Sequence, residues 1–155
     1  MEVKAALDSL AISTNAILEN ATSLQNLLGF NGKRRYLVML QNPAEDRGSG
    51  GLFSAILILE LEDAKPVIVE ANSRKVLDDF RIPTKGILDR QGTALWGKAQ
   101  SKWASFNVSA DFPHVARLAQ AGLAARGTPL DGVIAIDPGQ LVPCSPALAQ
   151  SSTTK

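Results

Sequence analysis

Apolar runs on either side of a polar, glycine-rich segment constrain the fold most strongly. The first run covers residues 36–40 and the second covers residues 52–61. A short apolar run bounded by polar residues is typical of a strand buried on both faces of a sheet. The second run leads through a turn at residues 62–66 into a third run at residues 67–69. Because this connection is too short for a parallel crossover, the second and third runs are predicted to form a hairpin.

Two later segments complete the predicted architecture. A helix is expected from Asp111 to Ala125, because the Asp111 carboxylate can accept the free amides of the first turn and Pro113 suits the first helical positions. Gly127 ends this helix, and residues 133–136 read as a further strand. The alternation of strands and helices, with at least one hairpin, predicts a mixed sheet flanked by helices. The fold class is therefore α/β, or α+β under a stricter label.

A long N-terminal helix is predicted to precede this sheet. Apolar or small residues recur at alternating spacings of four and three, at Val3, Leu7, Leu10, Thr14, Ile17, Ala21, Leu24 and Leu28. Gly29 then supplies the usual C-terminal residue. Two interpretations fit the stripe: it packs on the domain's own sheet, or the helix is a stalk that continues from a membrane segment upstream. The predicted organisation is a helix at residues 1–29, an α/β domain at residues 30–142, and a frayed tail at residues 143–155.

Composition argues against several classes of function. Sixteen basic and fifteen acidic side chains give a formal net charge of +1. A nucleic-acid binder usually carries a basic surplus, so nucleic acid is not an expected partner. Cys144 is the only cysteine and His114 the only histidine, which argues against a disulfide and against thiolate or histidine metal sites. Since no run of about 18 apolar residues occurs, this chain itself is not expected to span a membrane.

The polar segment at residues 41–51 is the strongest candidate site. It combines amide, carboxylate, guanidinium and hydroxyl groups with three glycines, at a strand end where open α/β sheets bind ligands. Gly50 and Gly51 would let backbone amides approach a bound group, and Arg47 offers a planar fork for phosphate or carboxylate. The alternative is a plain polar connection in which Glu45 and Arg47 face water. The segment matches neither the phosphate-binding P-loop nor the dinucleotide fingerprint.

Other polar and aromatic residues have structural interpretations that compete with functional ones. Asp111 is sufficiently explained as a helix cap, and Asp131 as part of a turn before the last strand. Asp137 follows the C-terminal end of that strand, where a ligand site and a turn cap are equally expected. Trp103 and Phe106 would line a groove or belong to the core, and the core is favoured because isolated aromatic residues usually lie there.

Several motifs occur in the same order as in a known family. They are Arg34-Arg35-Tyr36-Leu37-Val38, the segment from Gln41 to Gly51, Trp103, Asn107, Asp111-Phe112-Pro113 and the segment from Asp131 to Pro138. On these residues the chain resembles an uncharacterised bacterial envelope family, numbered four thousand and twelve among the domains of unknown function. The members typically have a membrane helix and a helical segment upstream. The resemblance implies an extracytoplasmic location at the cell membrane, attachment through a segment absent from this chain, and the stalk interpretation.

A more distant resemblance is to the LytR-CpsA-Psr family. Its members transfer lipid-pyrophosphate-linked glycans to peptidoglycan, with arginines on the pyrophosphate and aspartates on magnesium. On that pattern Asn42 and Gly51 fall where the family has metal-binding aspartates, whereas Arg47 and Arg74 fall where arginines are expected. Glu45 or Asp46 would have to replace the missing magnesium ligands, since Mg²⁺ prefers carboxylate and phosphate oxygens.

These resemblances imply three functional hypotheses. The first is a non-catalytic relative that binds an anionic envelope ligand, which is an envelope polymer, a lipid-linked glycan or an envelope protein. Its ligand-binding residues would be Asn42, Glu45, Arg47, Ser49, Gly50, Gly51 and Arg74. The second is an active phosphotransferase that moves lipid-pyrophosphate-linked glycan onto the cell wall and requires Mg²⁺ as cofactor. The third is a structural role in envelope assembly without a small ligand.

Overall fold

The computed structural model describes residues 20–88 and 90–138. Its elements are a helix at residues 20–27 (α1), β1 (Arg34–Arg47), β2 (Gly50–Glu62), β3 (Lys65–Ser73), α2 (Arg90–Trp96), α3 (Phe112–Ala125) and β4 (Gly132–Ile136). Short 3-10 helices cover Arg74–Leu77, Gly97–Ser101 and Phe106–Val108. The mixed α/β architecture is confirmed. The earlier part of the predicted N-terminal helix, residues 3–19, and the predicted tail at residues 143–155 lie outside the described residues.

The four strands form one mixed sheet in the order β3-β2-β1-β4. β2 is antiparallel to both β1 and β3, so the predicted hairpin between the second and third apolar runs is confirmed. Asp63 and Ala64, at its turn, both have positive φ angles, of 50° and 57°. This combination is typical of the tight turns that match the twist of a hairpin. β4 confirms the predicted last strand and runs parallel to β1, reached by a crossover that includes α2 and α3.

The polar residues 41–51 suggested a loop between the first two strands, but most of them belong to the strands themselves. The segment at residues 41–51 is not a long loop, because β1 continues to Arg47 and only Gly48 and Ser49 separate it from β2. Asn42 pairs with Leu52 and Asp46 pairs with Gly51, so the three residues between Asn42 and Asp46 bulge out of the ladder. The polar sequence reflects the exposure of residues 42–46 on an extended hairpin end.

The core lies between one face of the sheet and α3. It contains Leu37, Met39, Phe53, Ile56 and Ile58 from the sheet, and Val115, Leu118, Ala119 and Leu123 from α3. Trp103 and Phe106 complete it, as the sequence favoured, and Phe106 contacts both Trp103 and Phe53 edge to face at ring-centroid distances of 5.3 Å. Burial of each such side chain contributes roughly 1.5–3 kcal/mol. The irregular chain before α3 is therefore fixed against the sheet.

Both ends of α3 follow the sequence signals. The Asp111 side chain accepts a hydrogen bond from the His114 amide at 3.2 Å, as the cap prediction requires. At the other end Gly127 has a φ of 90°, and the Thr128 amide donates to the Leu123 carbonyl at 2.8 Å. This pattern closes a helix through a left-handed glycine. The predicted limits of α3 are confirmed.

The end of α1 is joined tightly to the sheet. Gly29 ends the helix with a φ of 79°. The Tyr36 hydroxyl donates to the Leu27 carbonyl at 2.6 Å, and the Ala64 amide donates to the Leu28 carbonyl at 2.9 Å. Carbonyls at a helix end have no partner within the helix, so these bonds satisfy groups that would otherwise need water.

Candidate ligand-binding site

The end of the β1–β2 hairpin packs against the 3-10 helix Phe106–Val108. The Ser49 hydroxyl donates to the Asn107 carbonyl at 3.1 Å, and the Asn107 side-chain amide donates to the Gly51 carbonyl at 3.0 Å. Within the hairpin, the side-chain amide of Gln41 donates to the Ser49 carbonyl at 3.2 Å. These bonds hold the hairpin end on a segment that lies more than fifty residues away in sequence. The predicted candidate segment is thus part of a fixed junction.

The glycines of this segment allow backbone to pack on backbone. A Cβ atom at Gly48 would lie 2.2 Å from the Val108 carbonyl oxygen, and one at Gly51 would lie 2.0 Å from the Asn42 carbonyl oxygen. Gly50 has a φ of 123°, a conformation that other residues rarely adopt. Sequence reasoning attributed Gly50 and Gly51 to a ligand approaching the amides. The close backbone contact at Gly51 and the positive φ angle of Gly50 are enough to explain why glycine occupies these positions. The contact with a ligand stays a prediction.

Arg47 is the predicted site residue whose charge and hydrogen-bond donors have the fewest partners within the protein. Its side chain is half-buried, its Nε atom is buried without a hydrogen-bond partner, and it forms no ion pair with any described residue. Asn107, fully buried at the same junction, has a side-chain oxygen without a partner. A buried polar atom without a partner costs roughly 1–3 kcal/mol. A donor and an acceptor at this junction therefore lack partners within the described part of the protein.

Arg74, by contrast, is engaged within the protein. It follows β3, begins the 3-10 helix Arg74–Leu77, and pairs with Asp78 one turn later. The register places Ser73 opposite Ala55, whereas Arg47 lies opposite Gly50. These positions are five residues apart along β2, about 16 Å at the usual rise of a strand. The two arginines lie at the same end of the sheet, but the structure does not bring them together.

The remaining predicted residues lie on the exposed bulge of β1. Glu45 and Asp46 are exposed next to Arg47, and the Asn42 side chain accepts a hydrogen bond from the Ala44 amide at 3.1 Å. Asn42 therefore stabilises the bulge itself. Within residues 20–88 and 90–138, no group of three or more histidine, cysteine, aspartate or glutamate side chains is placed to hold a metal ion.

The candidate acid Asp131 has a structural role at the opposite end of the sheet. Its carboxylate accepts hydrogen bonds from the Arg35 amide at 2.8 Å and from the Arg34 guanidinium at 2.9 Å. Burial raises the pKa of Asp131, but the hydrogen bonds from Arg35 and Arg34 outweigh it, so the net pKa lies below the usual value. Hydrogen bonds from Arg35 and then Lys33 similarly lower the pKa of Glu60. The three consecutive basic residues Lys33, Arg34 and Arg35 are thus all paired with carboxylates.

Sequence reasoning named Asn107 among the motifs of the family resemblance but did not place it in the site. That placement follows from a hydrogen bond to Gly51 that spans 56 residues. Arg47, in contrast, was identified by its guanidinium group in a polar segment at a strand end, just before Gly48. Asn107 is distinguished only by complete burial combined with a side-chain oxygen that lacks a partner.

Comparison with known proteins identifies the family of the chain. The family described as "Protein of unknown function (DUF4012)" matches residues 31–143. No curated protein and no solved structure matches the chain. In the described part of the chain, none of the helices has both the length and the apolar character needed to cross a bilayer. The distant resemblance to the LytR-CpsA-Psr family stays a prediction. Because the match covers most of the chain, the protein belongs to the DUF4012 family.

Proposed function

We propose that this domain binds an anionic ligand of the bacterial cell envelope, without catalysis, at the end of the β1–β2 hairpin. The supporting observation is Arg47, a half-buried guanidinium with a buried Nε atom that lacks a partner. A partly buried charge without a counter-charge is unfavourable. A phosphate or carboxylate from outside would balance it and accept two parallel hydrogen bonds from the guanidinium fork.

Arg47 differs from most of the other arginines, which pair with carboxylates of the protein. Those that pair with carboxylates are Arg34 with Asp131, Arg35 with Glu60, Arg74 with Asp78 and Arg126 with Glu70. Among arginines whose side chains are described, Arg47, Arg81 and Arg117 form no ion pair. Arg81 and Arg117 are exposed, so water solvates their charges, whereas Arg47 is half-buried. Of the two predicted anion contacts, Arg47 is therefore better placed than Arg74 to bind an external anion.

We extend the proposal to the attachment of the domain. Residues 20–25 of α1 are all exposed, and Leu24 is 55% exposed although it belongs to the apolar stripe. A helix that lies on a sheet buries one face, so this part of α1 does not pack along the domain. The exposure supports the stalk interpretation, in which a longer helix connects the extracytoplasmic domain to a membrane segment upstream.

The experiment measures binding of farnesyl pyrophosphate to the full chain by calorimetry, with inorganic pyrophosphate as the head-group control. We expect Arg47→Ala to weaken binding roughly tenfold to hundredfold, the value of a charge-assisted hydrogen bond. Arg81→Ala is the matched control, because Arg81 is exposed and forms no ion pair among the described residues. Equal affinities of the Arg47→Ala variant and the parent, or no binding of either probe, would contradict the proposal.

A second candidate, the phosphotransferase, is favoured by one observation. Glu45 and Asp46 are exposed carboxylates directly beside Arg47, where they would hold Mg²⁺ against a bound pyrophosphate. The same titration with and without Mg²⁺ separates the two functions. If binding requires Mg²⁺ and is lost in a Glu45→Gln, Asp46→Asn double variant, the phosphotransferase becomes the favoured function. Binding that is independent of Mg²⁺ supports the non-catalytic proposal.

A further inference from the structure

A groove lies between α2, the chain that precedes it and the first turns of α3. Its volume is about 340 Å³, within the range of small-molecule sites, roughly 300–1,000 Å³. Ile87, Leu95 and Trp96 form an apolar wall, and Asp111, His114 and Arg117 provide polar groups. These six residues lie between positions 87 and 117. None of them belongs to the Arg47 junction.

The apolar wall is open to solvent. Leu95 is 62% exposed and Trp96 is half-buried, although both are large apolar side chains on a short helix. Aromatic rings bind flat apolar surfaces well, because they bury a large area with little loss of side-chain freedom. The wall therefore suits a ligand with a flat apolar face.

The polar groups offer both hydrogen-bond acceptors and donors. One carboxylate oxygen of Asp111 caps α3, and Arg117 is exposed and has no ion pair among the described residues. His114 Nε2 lies 3.3 Å from the side-chain oxygen of Gln100, which is fully buried.

The opposite charges of Asp111 and Arg117 select the chemistry of the ligand. They balance each other, so the described residues that line the groove supply no surplus charge to attract a polyanion. Asp111 requires a donor and Arg117 requires an acceptor, and a hydroxyl group is both. A sugar ring presents hydroxyl groups at its edge and an apolar face of C–H groups. We propose that this groove binds a neutral saccharide, with a ring face on Trp96 and hydroxyls on Asp111 and Arg117.

This saccharide site is independent of the Arg47 proposal. The two sites differ in charge, since one offers an unbalanced cation and the other a balanced pair. They also use different residues, so each has variants that leave the other unchanged. Arg47→Ala is expected to leave saccharide affinity unaltered, and Arg117→Ala is expected to leave pyrophosphate affinity unaltered.

Tryptophan fluorescence provides a direct assay. The chain has two tryptophans, and Trp103 is 1% exposed in the core, so a ligand in the groove acts on the emission of Trp96. The probes are tetrasaccharides of β-1,4-linked N-acetylglucosamine and of β-1,4-linked glucose, with an uncharged tetrapeptide for comparison. We expect a saturable change in emission with at least one tetrasaccharide, and none with the tetrapeptide.

Two variants identify the contacts without disturbing the fold. Arg117→Ala removes an exposed side chain, and Asp111→Asn removes the charge but keeps a good cap. Each is expected to weaken saccharide binding about tenfold or more, as for loss of a charged hydrogen-bond partner, while Arg81→Ala has no effect. Trp96→Ala, followed by calorimetry, is expected to abolish detectable binding. The proposal is overturned if no tetrasaccharide binds up to about 10 mM, if only the tetrapeptide binds, or if Arg117→Ala binds as the parent does.

Discussion

Replacement of Gly122 by alanine tests how firmly the core fixes the segment before α3. A glycine inside a helix normally costs about 1 kcal/mol relative to alanine, so the substitution would be stabilising on propensity alone. A Cβ atom at Gly122, however, would lie 2.5 Å from Trp103 Cζ2 and 3.1 Å from Ile82 Cγ1. Trp103 is 1% exposed and packs edge to face on Phe53 and Phe106, so its ring has no free space to enter.

The steric cost exceeds the gain in propensity. Carbon atoms in good contact are about 3.5–4.0 Å apart, so the closest approach at Gly122 falls about 1 Å short. Overpacking of a core by one methyl group costs about 1–3 kcal/mol, and this contact belongs to the upper part of that range. After subtraction of the propensity term, we expect Gly122→Ala to lower the free energy of unfolding by about 1–2 kcal/mol. The corresponding fall in Tm is about 3–8 °C.

Urea denaturation followed by circular dichroism measures this effect. Ala124→Gly, at an exposed position of α3, reports propensity alone and should cost at most about 1 kcal/mol. A Trp103→Phe background removes the two ring atoms nearest to Gly122, so Gly122→Ala should become neutral or stabilising there. The reasoning is refuted if Gly122→Ala is more stable than the parent protein, or if its cost is unchanged in the Trp103→Phe background.

Three further predictions concern turns, caps and charge. Ala64→Gly should raise the free energy of unfolding by about 1 kcal/mol, because Ala64 has a positive φ in a turn that favours glycine; a loss of stability on urea denaturation would contradict this. Asp111→Ala should lower the free energy of unfolding by about 1 kcal/mol and Asp111→Asn by only a few tenths, in the same assay. Equal stability of Asp111→Ala and the parent would show that the cap does not contribute. Because the pKa of Asp131 is lowered in the folded protein, its carboxylate stabilises the fold above the unfolded pKa of about 4. That contribution disappears as the pH falls through the folded pKa. Asp131→Asn should therefore cost about 1 kcal/mol near pH 7, less in high salt, and almost nothing in acid. An unfolding free energy whose loss is independent of pH would count against the charge as its cause.

Local sequence signals were sufficient where one residue type fixed one conformation. The Asp111 cap and Gly127 set both ends of α3, and the apolar run at residues 133–136 identified β4. They failed at residues 41–47, since exposed strand residues in a hairpin end are polar, as loop residues are. They gave no clear assignment for α2, a seven-residue helix with Gly92 in its interior that tertiary contacts must stabilise.

The candidate site was only partly accessible to sequence reasoning. Arg47 was identified because it is a cation in a polar segment at a strand end, followed by three glycines. The engagement of Arg74 was visible in principle, since Asp78 follows it at the spacing of an ion pair on a helix. The orphan oxygen of Asn107 had no local signal, and neither did the groove around Trp96. The environment of Asn107 depends on a contact with Gly51 across 56 residues, and the groove depends on how α2 lies beside α3.

The strand register explains why Arg47 differs from the arginines at the other end of β1. At the beginning of β1, Arg34 meets Asp131, just before β4, and Arg35 meets Glu60 from β2. The pairing of β1 with β4 ends at Leu40, seven residues before Arg47. Beyond that point no described strand pairs with the second side of β1, and the hairpin partner supplies only glycine opposite Arg47. Arg47 thus lacks the cross-strand carboxylates that neutralise Arg34 and Arg35, and the proposed external anion would supply that charge.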